Sequence, residues 1–235
     1  ILSHSTKTEE RVPTGVPGVD GLIEGGFIKG EVILLAGGTG SGKSIFSSQF
    51  IHNGAINNND KGVFATLEED RKSFVRNMNK FNLDFDKLEA EGRVIVIDPS
   101  KIGGVGLDVN LQYITSKMDE LGAKRLVIDS LPALLSACEE TLEYRSAMRL
   151  IYELLKGHGF TTILTVSVPT GSKSLGMGVE EFIADSVIQL ENIIVNYEMK
   201  TRFIVRKMRG TDHSKKYHTV MFSEEGLDVV PFSTD

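Results

Sequence analysis

The chain has 235 residues, 40% hydrophobic and 25% charged, the proportions of a globular protein and not of a disordered or fibrous one. Lysine and arginine number 26 against 32 acidic residues, a net charge of -6, so no basic coat is expected; a local basic patch is compatible with that sum. A single cysteine, Cys138, excludes an internal disulfide and a cysteine-based zinc cage. The longest apolar runs, such as residues 32–36, fall far short of the roughly 18 residues of a membrane span. No membrane partner is expected. No basic segment followed by an apolar one opens the sequence, so a secretory leader is not expected and a cytoplasmic location is.

In chain order, residues 32–36 form the first of five short apolar runs, followed by 63–67, 94–97, 126–128 and 162–166. The runs are continuous and not alternating, which predicts strands covered on both faces. Between them lie segments of helical spacing. Phe74, Met78 and Phe81 share one face after an Asp70 N-cap. Leu107, Leu111, Ile114, Met118 and Leu121 step by four and three up to a Gly122 stop. Ala147, Leu150, Ile151 and Leu154 repeat the pattern between a Thr141 cap and a Gly157 stop. Strand–helix alternation of this kind predicts an α/β fold, a mainly parallel sheet with helices on both sides.

The stretch 169–178, with Gly171, Gly176 and Gly178, is the expected mobile loop. After Ser186 the pattern changes. Residues 187–190, 201–208, 217–222 and 227–230 follow without room for helices and predict antiparallel strands extending one sheet edge. Their expected turns are Gly210-Thr211-Asp212 and Glu224-Glu225-Gly226. The whole chain, 1–235, reads as one domain: a lead-in (11–30), a parallel core (31–192) and an antiparallel extension (193–235).

The first run leads into Gly37, Gly38, Thr39, Gly40, Ser41, Gly42, Lys43 and Ser44, which fit G-x-x-x-x-G-K-[ST] with a helix to follow. Glycines there let backbone N–H groups converge on phosphates, and the helix N-terminus adds its positive end. Lys43 would reach the β- and γ-phosphates, and the Ser44 hydroxyl would ligate Mg²⁺. Asp129, ending the fourth run, is the expected second metal-shell group, against the alternative of a helix cap. Glu68 and Glu69, ending the second run, could polarise a water for attack on the γ-phosphate, or could be two solvated acids ahead of a helix. The chemistry alone does not choose.

These residues, taken together, resemble the RecA-like P-loop ATPases, and within them the branch of KaiC-like proteins and RadA paralogues. The resemblance covers nearly the whole chain. Residues 12–20 with Gly25, Gly26 and Gly30 are similar to the family's P-T-G-I-P-G-L-D lead-in, residues 181–190 to its E-x-x-A-D-x-V-I-x-L entry, and residues 207–213 to its K-x-R-G-T-x-H segment. The resemblance implies ATP and Mg²⁺ as cofactors, Glu68 as the water-activating base with Glu69 as the alternative, and slow ATP hydrolysis. It also implies that Lys207, Arg209 and His213 face the nucleotide of a neighbouring copy in a hexamer or filament-like assembly. Independently, cations at i and i+2 on a strand point to one side, as a pair acting on a transferring phosphoryl would; a solvated, charge-guarded edge is the alternative.

Two contexts follow from the resemblance: a recombinase paralogue binding single-stranded DNA and a RadA-type recombinase in repair, or a KaiC-like signalling ATPase with autokinase activity. A nucleotide-gated module with little turnover is a third. The chain departs from recombinases where they carry a γ-phosphate-sensing Gln, since Ser167 stands there with a shorter reach. Its glycine loop offers Lys173 between Ser172 and Ser174 and no aromatic for stacking bases, while Lys215 and Lys216 are further candidates for phosphate contacts. The five histidines, His4, His52, His158, His213 and His218, show no metal-ligand spacing, and Cys138 reads as a small core-facing or partly buried residue.

Overall fold

A computed structural model describes residues 9–102, 106–136, 141–169, 175 and 180–232, leaving aside the side chains of 141 and 142. Cys138, His4, Lys173 and nearly all of the glycine-rich stretch expected to be a loop lie outside the described residues.

The lead-in holds a two-stranded antiparallel ribbon, β1 (Arg11–Val12) and β2 (Phe27–Ile28). The expected strands follow as β3 (Val32–Gly37), β4 (Gly62–Thr66), β5 (Val94–Ile97), β6 (Arg125–Asp129) and β7 (Thr161–Ser167). Between them run α1 (Lys43–Asn58), α2 (Arg71–Asn79), α3 (Phe85–Ala90), α4 (Leu107–Leu121), α5 (Leu131–Leu134) and α6 (Thr141–His158). A short α7 (Glu180–Ile183) precedes β8 (Ser186–Val195), β9 (Glu198–Met208), β10 (His218–Ser223) and β11 (Gly226–Pro231).

One nine-stranded sheet results, in the order β11-β10-β9-β8-β3-β7-β6-β4-β5. The six strands from β5 to β8 are parallel, and β9 to β11 add antiparallel. The first of the four late strands is therefore not antiparallel to its inner neighbour: β8 pairs in parallel with β3 and only its outer edge begins the antiparallel part. The extended runs of β8 and β9, joined through Asn196 and Tyr197 at φ +50° and +64°, also exceed the expected strands. Their outer halves are largely half-exposed or exposed, and Glu191 and Asn192 in β8 and Lys200 and Arg202 in β9 interrupt the apolar residues there.

Alternate residues of each inner strand feed two cores. Ile33, Leu35, Phe64, Val127 and Ile163 face α1, α2 and α3, where Phe46, Phe50, Phe74 and Phe85 pack. Leu34, Ala36, Ile128, Leu164 and Val166 face α4, α5 and α6. Continuous apolar runs are the consequence of this two-sided cover.

Local signals held at several helix ends. Asp70 accepts from Ser73 N at 2.9 Å, and Gly122 ends α4 at φ +66°. Two expectations for α6 need correction. The stop is Gly159 at φ +71°, and Gly157 lies inside the helix. Leu150 is 43% exposed, because the buried stripe runs through Tyr144, Ala147, Met148, Ile151 and Leu155, and Leu150 lies off that stripe. Phe81 sits past the end of α2, in the turn that follows it.

Candidate functional site

β3 stops at Gly37 because the chain must turn sharply there. A Cβ at Gly37 would stand 2.5 Å from Leu190 O and from Ser41 Oγ, so only glycine fits. Gly40 and Gly42 take φ +74° and +95°, and Gly42 opens α1 as its N-cap. The first amides of α1 have no helical carbonyl to bind and point out of the turn. Lys43 is 9% exposed and curls over the loop, donating through Nζ to Gly37 O at 2.9 Å and Gly38 O at 3.0 Å. Burial pushes its ammonium below the ordinary lysine value, while the Asp129 and Glu68 charges pull it back.

The sheet order explains how distant residues meet. β7 lies between β3 and β6, and Asp129 comes off the end of β6 within reach of α1. Ser44 Oγ donates to Asp129 Oδ2 at 2.6 Å, and Thr165 Oγ1, on the intervening strand, donates to Asp129 Oδ1 at 2.5 Å. Leu67 N donates to Asp129 O at 2.7 Å and ties the segment carrying the glutamates to β6. Glu68 then takes the Ser130 hydroxyl, whereas Glu69 accepts from Asn77 Nδ2 of α2 at 3.0 Å. Burial pushes the Glu69 carboxyl above its usual range. The two acids thus diverge: Glu68 turns toward the loop and Glu69 toward α2.

The oxygen donors of Ser44 and Asp129 suit a hard cation. Among the described residues no three His, Cys, Asp or Glu side chains converge on a metal, so any cation here must take most of its ligands from phosphate and water. That is the habit of Mg²⁺. The residues present therefore fit a magnesium–polyphosphate unit.

Lys207 and Arg209 lie elsewhere. Lys207 pairs with Val187, which pairs with Leu34, three positions before Gly37 and two strands away. At ~3.3 Å per residue and ~4.8 Å between strands this is about 14 Å from the loop of the same chain. Lys207 Nζ donates to Ala184 O at 2.7 Å and Glu181 O at 3.0 Å, and Arg209 to Phe182 O at 3.2 Å. Both side chains do reach the same side, as their spacing requires. Burial, then the neighbouring Arg209 charge, holds Lys207 below its ordinary value. His213 is half-buried, its Nδ1 3.3 Å from Thr211 O, and Lys215 and Lys216 are exposed.

Four site residues have no motif behind them. Thr165 hides inside an apolar run, and Ser130 follows Asp129 without a distinguishing pattern. Asn192, on the unexpected part of β8, donates to Thr39 O at 3.2 Å and is held by Thr201 at 2.9 Å. Phe222 stands where a Cβ on Gly42 would meet its ring at 2.9 Å, and it borders an apolar groove of about 820 Å³ with Met199, Met221 and Phe232. Ser167 is exposed at the end of β7, opposite Gly37.

A phosphate loop at the reversal point of a mainly parallel sheet, facing a carboxylate across one strand, defines a RecA-like P-loop fold. Residues 12–233 match the family model described as ATPase: KaiC. A UPF0273 protein of Methanocaldococcus jannaschii is 33% identical over 94% of this chain and 97% of its own length. The circadian clock protein KaiC3 of Synechocystis is 32% identical over 99% of this chain, which spans only 48% of that relative. The crystal structure of a KaiC-like protein of Pyrococcus horikoshii superposes with a TM-score of 0.87 at 41% identity, over 95% of this chain and all of that one. The chain belongs to the KaiC ATPase family.

Among the described residues no helix is long and apolar enough to cross a membrane. Placement with the recombinase paralogues is not supported by these matches, which are to KaiC-like and UPF0273 proteins.

Proposed function

We propose that the chain, acting as one ATPase domain over residues 1–235, binds ATP with Mg²⁺ and hydrolyses it slowly within an assembly of identical copies. One observation carries this reading: the Ser44 and Asp129 oxygens meet at 2.6 Å beside an ammonium folded over a glycine turn. Gly37 to Gly42 and Lys43 would hold the phosphates, and Ser44 and Asp129 the metal. Mg²⁺, when bound, would offset charge on the phosphate oxygens. The apolar groove beside Phe222 would take the base.

Glu68 is the preferred base over Glu69, because it lies on the loop side beside Ser130 while Glu69 is tied to Asn77. It would orient and deprotonate the attacking water. Lys207 and Arg209 are too far from their own loop to act there, so a catalytic part for them requires a neighbouring copy, with His213 beside them. A hexamer or a filament-like stack would meet that requirement.

Calorimetry with ATP and Mg²⁺, followed by steady-state turnover of wild type and Glu68→Gln, tests the reading. Heat of binding and a rate that the variant loses are expected. Absence of both in the wild type defeats it, and binding without turnover would leave a nucleotide-gated module. Light scattering on a sizing column with and without nucleotide reads the assembly.

A second reading, a recombinase paralogue binding single-stranded DNA, draws support from the sequence resemblance and from exposed Lys215 and Lys216. Phosphate contacts tighten at low salt. Gel shifts at two salt concentrations should then show single-stranded DNA retained at the lower one, and none retained at either removes this reading. Labelling of the protein by γ-labelled ATP would favour the autokinase alternative instead.

A further inference from the structure

We propose that Thr165 is a positioning residue for the metal-facing carboxylate: its hydroxyl fixes the orientation of Asp129, so that Oδ2 faces Ser44 and a Mg²⁺ held there. The inference rests on the nucleotide reading above and extends it to a residue that no motif marks.

The strand is otherwise built to be buried. Ile163 and Leu164 precede Thr165, Val166 follows it, and Thr165 itself is fully buried. By alternation its side chain shares the face of Ile163, the α1 side of the sheet, where Ser44 lies in the first turn of the helix. Valine has nearly the same shape and would suit such a site, so the hydroxyl needs a reason. Thr162 shows the ordinary outcome for a threonine in this strand, since its hydroxyl lies 3.3 Å from the nearby Phe160 carbonyl. Thr165 instead reaches across to the next strand and donates to Asp129 Oδ1 at 2.5 Å.

The two hydroxyls divide the carboxylate. Thr165 occupies Oδ1 and Ser44 occupies Oδ2, at 2.6 Å. An ionised carboxylate accepts at about four lone-pair positions. With Oδ1 anchored by the neighbouring strand, Oδ2 is left facing Ser44, where its remaining lone pair would be open to a cation. Without Thr165 the carboxylate is held from one side only and can rotate about its Cβ–Cγ bond. Outer partners of this kind orient the groups that serve a metal, and their loss typically weakens metal affinity by roughly 10–100-fold.

The test uses the full chain and two measurements. ADP affinity is measured by calorimetry in EDTA and again with Mg²⁺, and the ratio reports the contribution of the metal. For Thr165→Val the EDTA value is expected to stay at the wild-type level, while the gain on adding Mg²⁺ falls about tenfold. Mn²⁺ bound with ADP should show a broadened spin-resonance signal. Thr165→Ser, which keeps the hydroxyl, should restore both. Thr165→Ala serves if the valine variant does not fold, and thermal melting reports folding for each.

A folded Thr165→Val or Thr165→Ala with an unchanged Mg²⁺ gain overturns the proposal. So does an equal loss of affinity with and without the metal, which would make Thr165 a packing residue. Wild-type chain that binds no nucleotide in either buffer is a different failure, since it removes the underlying reading itself.

Discussion

The two ends of the central sheet use carboxylates in opposite ways. At the loop end, Asp129 receives two neutral hydroxyls and Glu68 a third, and the nearest cation, Lys43, is spent on loop carbonyls. At the other end, Asp185 is saturated: Val32 N donates at 3.0 Å, the Tyr152 hydroxyl at 2.8 Å and Lys156 Nζ at 3.1 Å, with Arg209 3.8 Å away. Glu31 beside it accepts from Ile28 N and Ser186. A carboxylate already matched by cations and amides can only hold elements together. One matched by hydroxyls alone keeps negative charge available for an incoming cation. The far end thus ties together the lead-in, β3, α6 and β9, while the loop end carries no such cationic clamp on Asp129, as the proposed metal role requires.

Arg209 gives the sharpest test of that division, because it stands at the cohesive end yet is 54% exposed on its side chain. If it also serves a neighbour's phosphates, Arg209→Ala should lower steady-state turnover by about 1,000-fold with ADP binding unchanged. A lowered melting temperature with an unchanged rate would confine it to the structural side. Glu68→Gln comes next: turnover should fall by roughly 100-fold while nucleotide affinity holds, and Glu69→Gln should cost little. Equal losses in the two glutamine variants would break the distinction drawn between them.

The smallest effect belongs to Glu31. Burial raises its carboxyl from 4.5 to about 7, with the Asp185 charge adding to the shift. The folded chain then binds a proton that the unfolded chain has released between these values. Stability from this group is full below pH ~4.5 and is lost as the pH rises through about 7. The shift bounds the loss at about 3 kcal/mol, and relaxation of the site leaves about 1–2 kcal/mol. Glu31→Gln should flatten the decline in melting temperature between pH 5 and 8. A wild-type profile parallel to that of the variant would show that Glu31 stays ionised.

Much of this was legible before the fold. The five inner strands, the Asp70 and Gly122 helix ends, and the Gly37–Ser44 turn each depend on neighbours in sequence, so composition and spacing reveal them. The hairpin through Asn196 and Tyr197 was not legible, because Glu191 and Asn192 break the apolar run of β8 and the first residues of β9 are exposed. The parallel pairing of β8 was missed for a different reason: strand direction depends on the partner and not on the run itself.

The amino-acid order alone determined the glycine turn after β3, since glycines and a following helix need only local backbone geometry. It also determined which carboxylates end apolar strands. Only the tertiary structure decided that β7 inserts between β3 and β6, and so places a threonine hydroxyl beneath Asp129. Only it separated Glu68 from Glu69 and carried Lys207 and Arg209 away from their own loop. Those outcomes depend on which strands become neighbours, a choice made by burial summed over the whole core and not by any single stretch of chain.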